Sequence, residues 1–167
     1  MLSFSSVTTA ERNWAAAAHL SALLTVAAGW ATGGVGAVVA LLAPLSLYVF
    51  FRERAPYVAY HALQATVFQA GGAVLYVLTA VVLAGAVVFS WAAAALLGVV
   101  VIGLALLPVA VAVTVLAIVF LVVAPLAGLA YVLRGAYLAA RGEGFEYPLF
   151  GGLVARSLGF AGVNWLA

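Results

Sequence analysis

The ten charged side chains of this 167-residue chain fall in three short clusters, and the gaps between them constrain the fold more than any other feature. Glu11 and Arg12 come first, then Arg52, Glu53 and Arg54, then Arg134, Arg141, Glu143, Glu146 and Arg156. The charge-free runs between them are residues 13–51 (39 residues) and 55–133 (79 residues). One helix needs about 20 apolar residues to cross a hydrocarbon core of roughly 30 Å. The first run therefore holds two spans, with a turn at Ala31-Thr32-Gly33-Gly34, where glycines allow the chain to reverse. The second run, on the order of 118 Å of helix at about 1.5 Å per residue, holds two long spans or three short ones. Arginines flanking spans are biased toward the cytoplasm. Two spans place all six arginines on one side and three spans divide them evenly, so the even count is preferred.

Composition agrees with a membrane protein. Hydrophobic residues make up 69% and charged residues 6% of the chain, against roughly 45–50% and 25% in average globular domains. That excludes an ordinary cytosolic enzyme and a nucleic-acid binder, since the net charge of +2 reflects a few arginines and no basic patch. With no cysteine there is no disulfide, thiolate nucleophile or cysteine-ligated metal.

These features predict an all-α fold: an integral membrane four-helix bundle with a short C-terminal interfacial helix, one transmembrane domain over residues 1–167. The expected spans are about 13–30, 35–51, 57–89 and 108–141, with residues 148–163 in the interface and both termini cytoplasmic. Trp30 and Trp91 fall at the outer turns. Trp14, Tyr48, Tyr57, Tyr60, Tyr131, Tyr137 and Tyr147 fall near the inner face, where an apolar ring with a polar tip is favoured. Residues 90–107 remain open between an outer interfacial or re-entrant piece and an extension of the neighbouring helices; the need to satisfy backbone groups in lipid favours helix. Pro56 marks a helix boundary, Pro44 and Pro125 kink their spans, and Pro108 marks a start. Arg12 and the apolar run after it match a secretory signal only in part, so the first span reads as retained. Leu149, Phe150, Leu153 and Val154 share one helical face, which suits a helix lying in the interface.

His19, His61, Gln64 and Gln69 are the polar residues that stand out within the predicted spans. One reading makes them a proton, ion or substrate path. The preferred one makes them interhelical hydrogen-bond contacts, worth about 0.6 kcal/mol each. A metal would need a further ligand, and the carboxylates lie outside the spans; haem between the two imidazoles has no other support. Glu143 and Glu146 sit in a Gly-bracketed turn, Arg141 to Pro148, that reads as polar surface. They are expected to pair with Arg52, Arg54 or Arg141 in a cytoplasmic charge cluster and not to act as a catalytic pair. No nucleophile elbow, phosphate loop or dinucleotide fingerprint is present in the sequence. Non-enzymatic function and no cofactor are expected.

Three landmarks occur in order: Glu11-Arg12-Asn13-Trp14 leading into His19-Leu20-Ser21; His61-Ala62-Leu63-Gln64-Ala65 with Gln69 close behind; and Arg141-Gly142-Glu143 before Tyr147-Pro148. Over nearly the whole chain they resemble a widespread prokaryotic family of small membrane proteins of unknown function. That family is similar to the small four-helix subunit of the chloroplast inner-envelope import translocon. Leu63-Gln64-Ala65-Thr66 stands where the family commonly has an Ala-Leu-Asn-Phe run. The resemblance implies a four-helix bundle beside a protein-handling or other membrane complex. The function expected is a scaffold or accessory subunit in the prokaryotic plasma membrane, contacting the lipid bilayer and other membrane subunits but no nucleic acid. The alternative is a small transporter or channel with a polar path near His19 and His61.

Overall fold

The structure, a computed structural model, describes residues 7–157. Every regular element among them is helical: α1 (Thr9–Ala31), α2 (Val35–Ala40), α3 (Leu42–Phe51), α4 (Pro56–Gly98), α5 (Ile102–Arg141) and α6 (Gly151–Ser157). Helices α1, α4 and α5 are long and apolar enough to cross a membrane, and residues 35–51 form a shorter apolar stretch. The fold class is the all-α, membrane-type one the sequence predicts. The chain divides into two compact units, one formed by residues up to Gly72 and from Leu129 onward, the other by Ala73–Gly128.

In the first unit, α1 begins four residues before the expected limit because Thr8 caps it. The Thr8 hydroxyl accepts from the Glu11 amide at 3.2 Å, while the Glu11 carboxylate accepts from the Thr8 amide at 2.8 Å. This reciprocal pair satisfies amides that the first turn leaves open. The helix ends at Thr32, and Gly33 and Gly34 (φ +63° and +103°) turn the chain in a conformation that L side chains resist. The approach of Gly29 to Ala37 and the contact of the Trp14 and Phe51 rings run α1 antiparallel to α2 and α3, and Leu47 and Tyr48 pack against the cluster of Ala18, Ala62 and Ala65. Gly36 permits this approach, since a Cβ there would lie 2.7 Å from the Ala28 carbonyl oxygen.

The expected second span keeps helical backbone through the junction of α2 and α3: Leu41 has φ −60° and ψ −22°, and its amide bonds the Ala37 carbonyl. Pro44 has no amide to offer the Ala40 carbonyl and its ring crowds that turn, which interrupts the helix bonding there. Pro56 occupies the first position of α4, where the missing amide costs no helix bond.

The second unit is a helical hairpin made by residues 73–98 of α4 and 102–128 of α5. Residues 90–107 extend both helices, apart from a turn at 99–101. Pro108 lies inside α5 and does not start it. Glycine is required at 103, where a Cβ would fall 2.1 Å from the Gly98 nitrogen. Pro125 cannot bond the carbonyl of Leu121, four residues earlier, and the Tyr76 hydroxyl donates to that oxygen at 3.2 Å. The Trp91 indole N–H donates to Thr114 Oγ1 at 3.0 Å, a second link between the two arms. The α6 helix covers part of the expected interfacial segment; residues 158–163 lie outside the described residues.

The Tyr76 bond predicts a non-additive pair of substitutions. Tyr76→Phe should lower stability in detergent by about 0.6 kcal/mol. In a Pro125→Ala background the restored amide bonds the Leu121 carbonyl, and the cost should largely vanish. Equal costs in both backgrounds, measured by denaturant unfolding, would contradict this assignment.

Candidate functional site: a buried polar network around a docked loop

The helix α5 ends in a way that commits the following residues to the interior of the first unit. Gly142 adopts φ +83°, its amide donates to the Ala139 carbonyl, and the Glu143 amide donates to the Leu138 carbonyl, each at 3.0 Å. That left-handed cap closes the helix and redirects the chain. Residues 143–147 are then irregular, and their side chains alternate: Phe145 and Tyr147 are buried, Glu146 and Pro148 exposed. The expectation of a polar surface turn is therefore corrected. Its aromatic positions point inward.

Room for the loop is made by glycines. A Cβ at Gly135 would lie 2.9 Å from the Phe145 ring and 3.0 Å from His19 Nδ1, and one at Gly71 would lie 2.7 Å from the Phe150 ring. Tyr147 stacks on Phe68 with ring centroids 3.9 Å apart and planes at 12°. Phe145 meets the Tyr147 and His19 rings edge to face.

An irregular backbone buried in protein needs partners that a helix would supply internally. Here α4 supplies them. The Tyr57 hydroxyl donates to the carbonyls of Ala139 (2.9 Å) and Glu143 (3.0 Å), and the Tyr60 hydroxyl donates to that of Phe145 (3.3 Å). Gln64 accepts from the Tyr147 amide through Oε1 (3.2 Å) and donates through Nε2 to the Gly151 carbonyl (3.3 Å) and the Tyr60 oxygen (2.9 Å). Tyr57, Tyr60, His61 and Gln64 follow one face of α4 at helical spacing, which brings all four to the same strip of loop.

His19 and His61 lie beneath. The Tyr147 hydroxyl is 2.8 Å from His19 Nδ1, and His19 Nε2 is 2.9 Å from His61 Nδ1. Both imidazoles and Gln64 have no exposed surface. Burial pushes the Tyr147 phenol up from its ordinary value, which keeps it neutral and able to donate. With both imidazoles neutral, the row carries its protons in either of two orders, Tyr147 to His19 to His61 or the reverse. His61 Nε2 is buried without a hydrogen-bond partner. One proton sits in each gap, so the three groups form a single ordered row.

The network brings His19, His61 and Gln64 together. Gln69 belongs to a neighbouring cluster, where it accepts from the Thr25 hydroxyl (2.8 Å) and donates to Ser21 Oγ (3.1 Å), tying α4 to α1. Ion pairs among the described residues are Arg52–Glu53 (3.3 Å) and Arg141–Glu143 (2.8 Å), and the Arg54 guanidinium lies 4.6 Å over the Phe50 ring. Glu146 joins neither of these pairs. No group of three potential metal ligands is found among the described residues, and both ring nitrogens of His19 are already engaged. Phe145 and Gly135 are members that the sequence did not single out, and Tyr147 stood out there only as an inner-face aromatic and a landmark residue. The inward alternation of Phe145 and Tyr147 was the available signal.

Gly135→Ala should destabilise the first unit by about 1–3 kcal/mol through overpacking and speed proteolysis within residues 142–150. Gly72→Ala, which meets nothing within 4 Å, is the matched control and should be silent. Equal behaviour of the two variants would contradict the docked loop.

Residues 10–154 match the sequence profile of the magnetosome magnetite crystal formation protein family. No curated protein and no solved structure matches the chain. The match supports a small prokaryotic membrane-protein family and lends nothing to the likeness with the import-translocon subunit. Because it spans most of the chain, including every residue of the network just described, the protein belongs to the magnetosome magnetite crystal formation protein family.

Proposed function

We propose that this chain is a non-enzymatic membrane protein that serves magnetite crystal formation as a scaffold or accessory subunit of a larger assembly in the magnetosome membrane. One observation carries the reading: the polar side chains of the interior are engaged with one another and with residues 139–151. Chemistry on a substrate would have to dismantle that packing first. His19, His61, Gln64 and Gln69 then act as helix–helix and helix–loop contacts. The apolar flanks of α4 and α5, uncharged from residue 55 to 133, face lipid and neighbouring membrane subunits. Arg52, Arg54, Arg141, Glu143 and Glu146 mark the cytoplasmic side, with both termini.

The Tyr147–His19–His61 row favours a second reading, a polar path for protons. It is the weaker one, since both imidazoles are sealed from solvent. Two experiments separate the readings. Native purification in mild detergent should recover the protein with other membrane proteins, and deletion in a magnetite-forming host should change crystal size or number under electron microscopy. Recovery as a lone protein with unaltered crystals contradicts the scaffold. Proton flux into liposomes that falls when His61 becomes Ala would establish the path instead.

A further inference from the structure

The tip of the hairpin in the second unit differs from the other interhelical turns of this chain. The turn after α3 carries Arg52, Glu53 and Arg54 between Phe51 and Tyr57, and the turn after α1 carries Trp30 and Thr32. These are the charged and amphipathic residues that hold a turn at a membrane–water interface. The tip, by contrast, reads Leu97-Gly98-Val99-Val100-Val101-Ile102-Gly103-Leu104, without a polar side chain. Its exposure is large, 89% at Val99, 70% at Val101 and 60% at Ile102. Set in water, such a surface is opposed by the hydrophobic effect at every residue.

The hairpin also needs little from water. The amides of Val100, Val101, Ile102 and Leu104 donate to carbonyls within the turn, at 2.7–3.2 Å. Of its five polar side chains, four are bonded inside the hairpin: Tyr76 to the Leu121 carbonyl, Ser90 to the Val87 carbonyl, Trp91 to Thr114, and Thr114 to the Ala110 carbonyl. Thr79 is the fifth. The Trp91 indole, the residue expected to anchor an outer turn, has its single donor satisfied by Thr114 and so needs neither headgroup nor water. A turn whose backbone and side chains are satisfied internally is the kind that hydrocarbon tolerates.

We propose that the hairpin tip, residues 97–104, lies within the hydrocarbon of the bilayer, and that this turn reaches neither aqueous face. The occupant of the tip surface is lipid acyl chain. The second outer turn is thereby withdrawn from water.

The chain contains no cysteine, so single cysteines report without background. Val100→Cys and Glu53→Cys would be reconstituted separately at high lipid-to-protein ratio and treated with a membrane-impermeant maleimide on both sides of the vesicles. Glu53→Cys, on the charged turn, should label readily. Val100→Cys should label about ten-fold more slowly or not at all, and at a comparable rate once denatured. A bimane attached to the thiol of Val100→Cys should be quenched most by lipids brominated deep in their acyl chains. Ready labelling of Val100→Cys in vesicles overturns the proposal. So does slow labelling without deep-lipid quenching, which would mean that protein, such as a second copy of the chain, covers the tip.

Discussion

A buried stretch of backbone that is neither helix nor strand must find a partner for each peptide group, and the first unit is arranged around that requirement. Residues 143–147 enter the interior with their peptide groups unpaired by any ladder; Tyr57 and Tyr60 donate to the Glu143 and Phe145 carbonyls, and Gln64 accepts from the Tyr147 amide, all from one face of α4. Leaving such a group unsatisfied costs about 1–3 kcal/mol. Each polar residue of that face is therefore tied to the loop's path. His19 extends the same logic to the side chains, because the loop buries Tyr147 and its hydroxyl needs a hydrogen-bond partner. His61 then gives His19 a partner in turn.

The second unit meets the same constraint without importing partners. Its irregularities are a proline in each half of α5 and the turn at 99–101. Pro125 frees a carbonyl and Tyr76 covers it from the other arm. The turn bonds its own amides. Val101 takes φ +66° to do so, a conformation that a β-branched residue adopts at a cost of about 1–2 kcal/mol. One unit thus assembles polar side chains around irregular backbone, while the other keeps irregular backbone short and its polar atoms closed upon themselves.

The charge gaps made the membrane class legible, because an uncharged run of 79 residues has few other outcomes. The polar exceptions within those gaps, His19, His61 and Gln64, were legible as a group for the same reason. Their purpose was not. Phe145 and Tyr147 are set among Gly142, Glu143, Gly144, Glu146 and Pro148, residues that usually signal a solvated turn, and the glycine at 135 that admits Phe145 lies in an otherwise ordinary helical run. Helix limits were hardest where composition carries no punctuation. Between residues 90 and 107 nothing polar follows Trp91, so the turn is betrayed only by Gly98 and Gly103. Pro44 signalled the disturbance between α2 and α3 correctly.

The polar face of α4 holds residues 143–151 in place. Backbone hydrogen exchange in detergent reads this at the Tyr147 amide, which donates to Gln64 Oε1. Strong protection is expected in the native chain, with its loss when Gln64 becomes Leu and α1 amides little changed. Exchange of Tyr147 at the rate of an unstructured peptide in the native chain would contradict it.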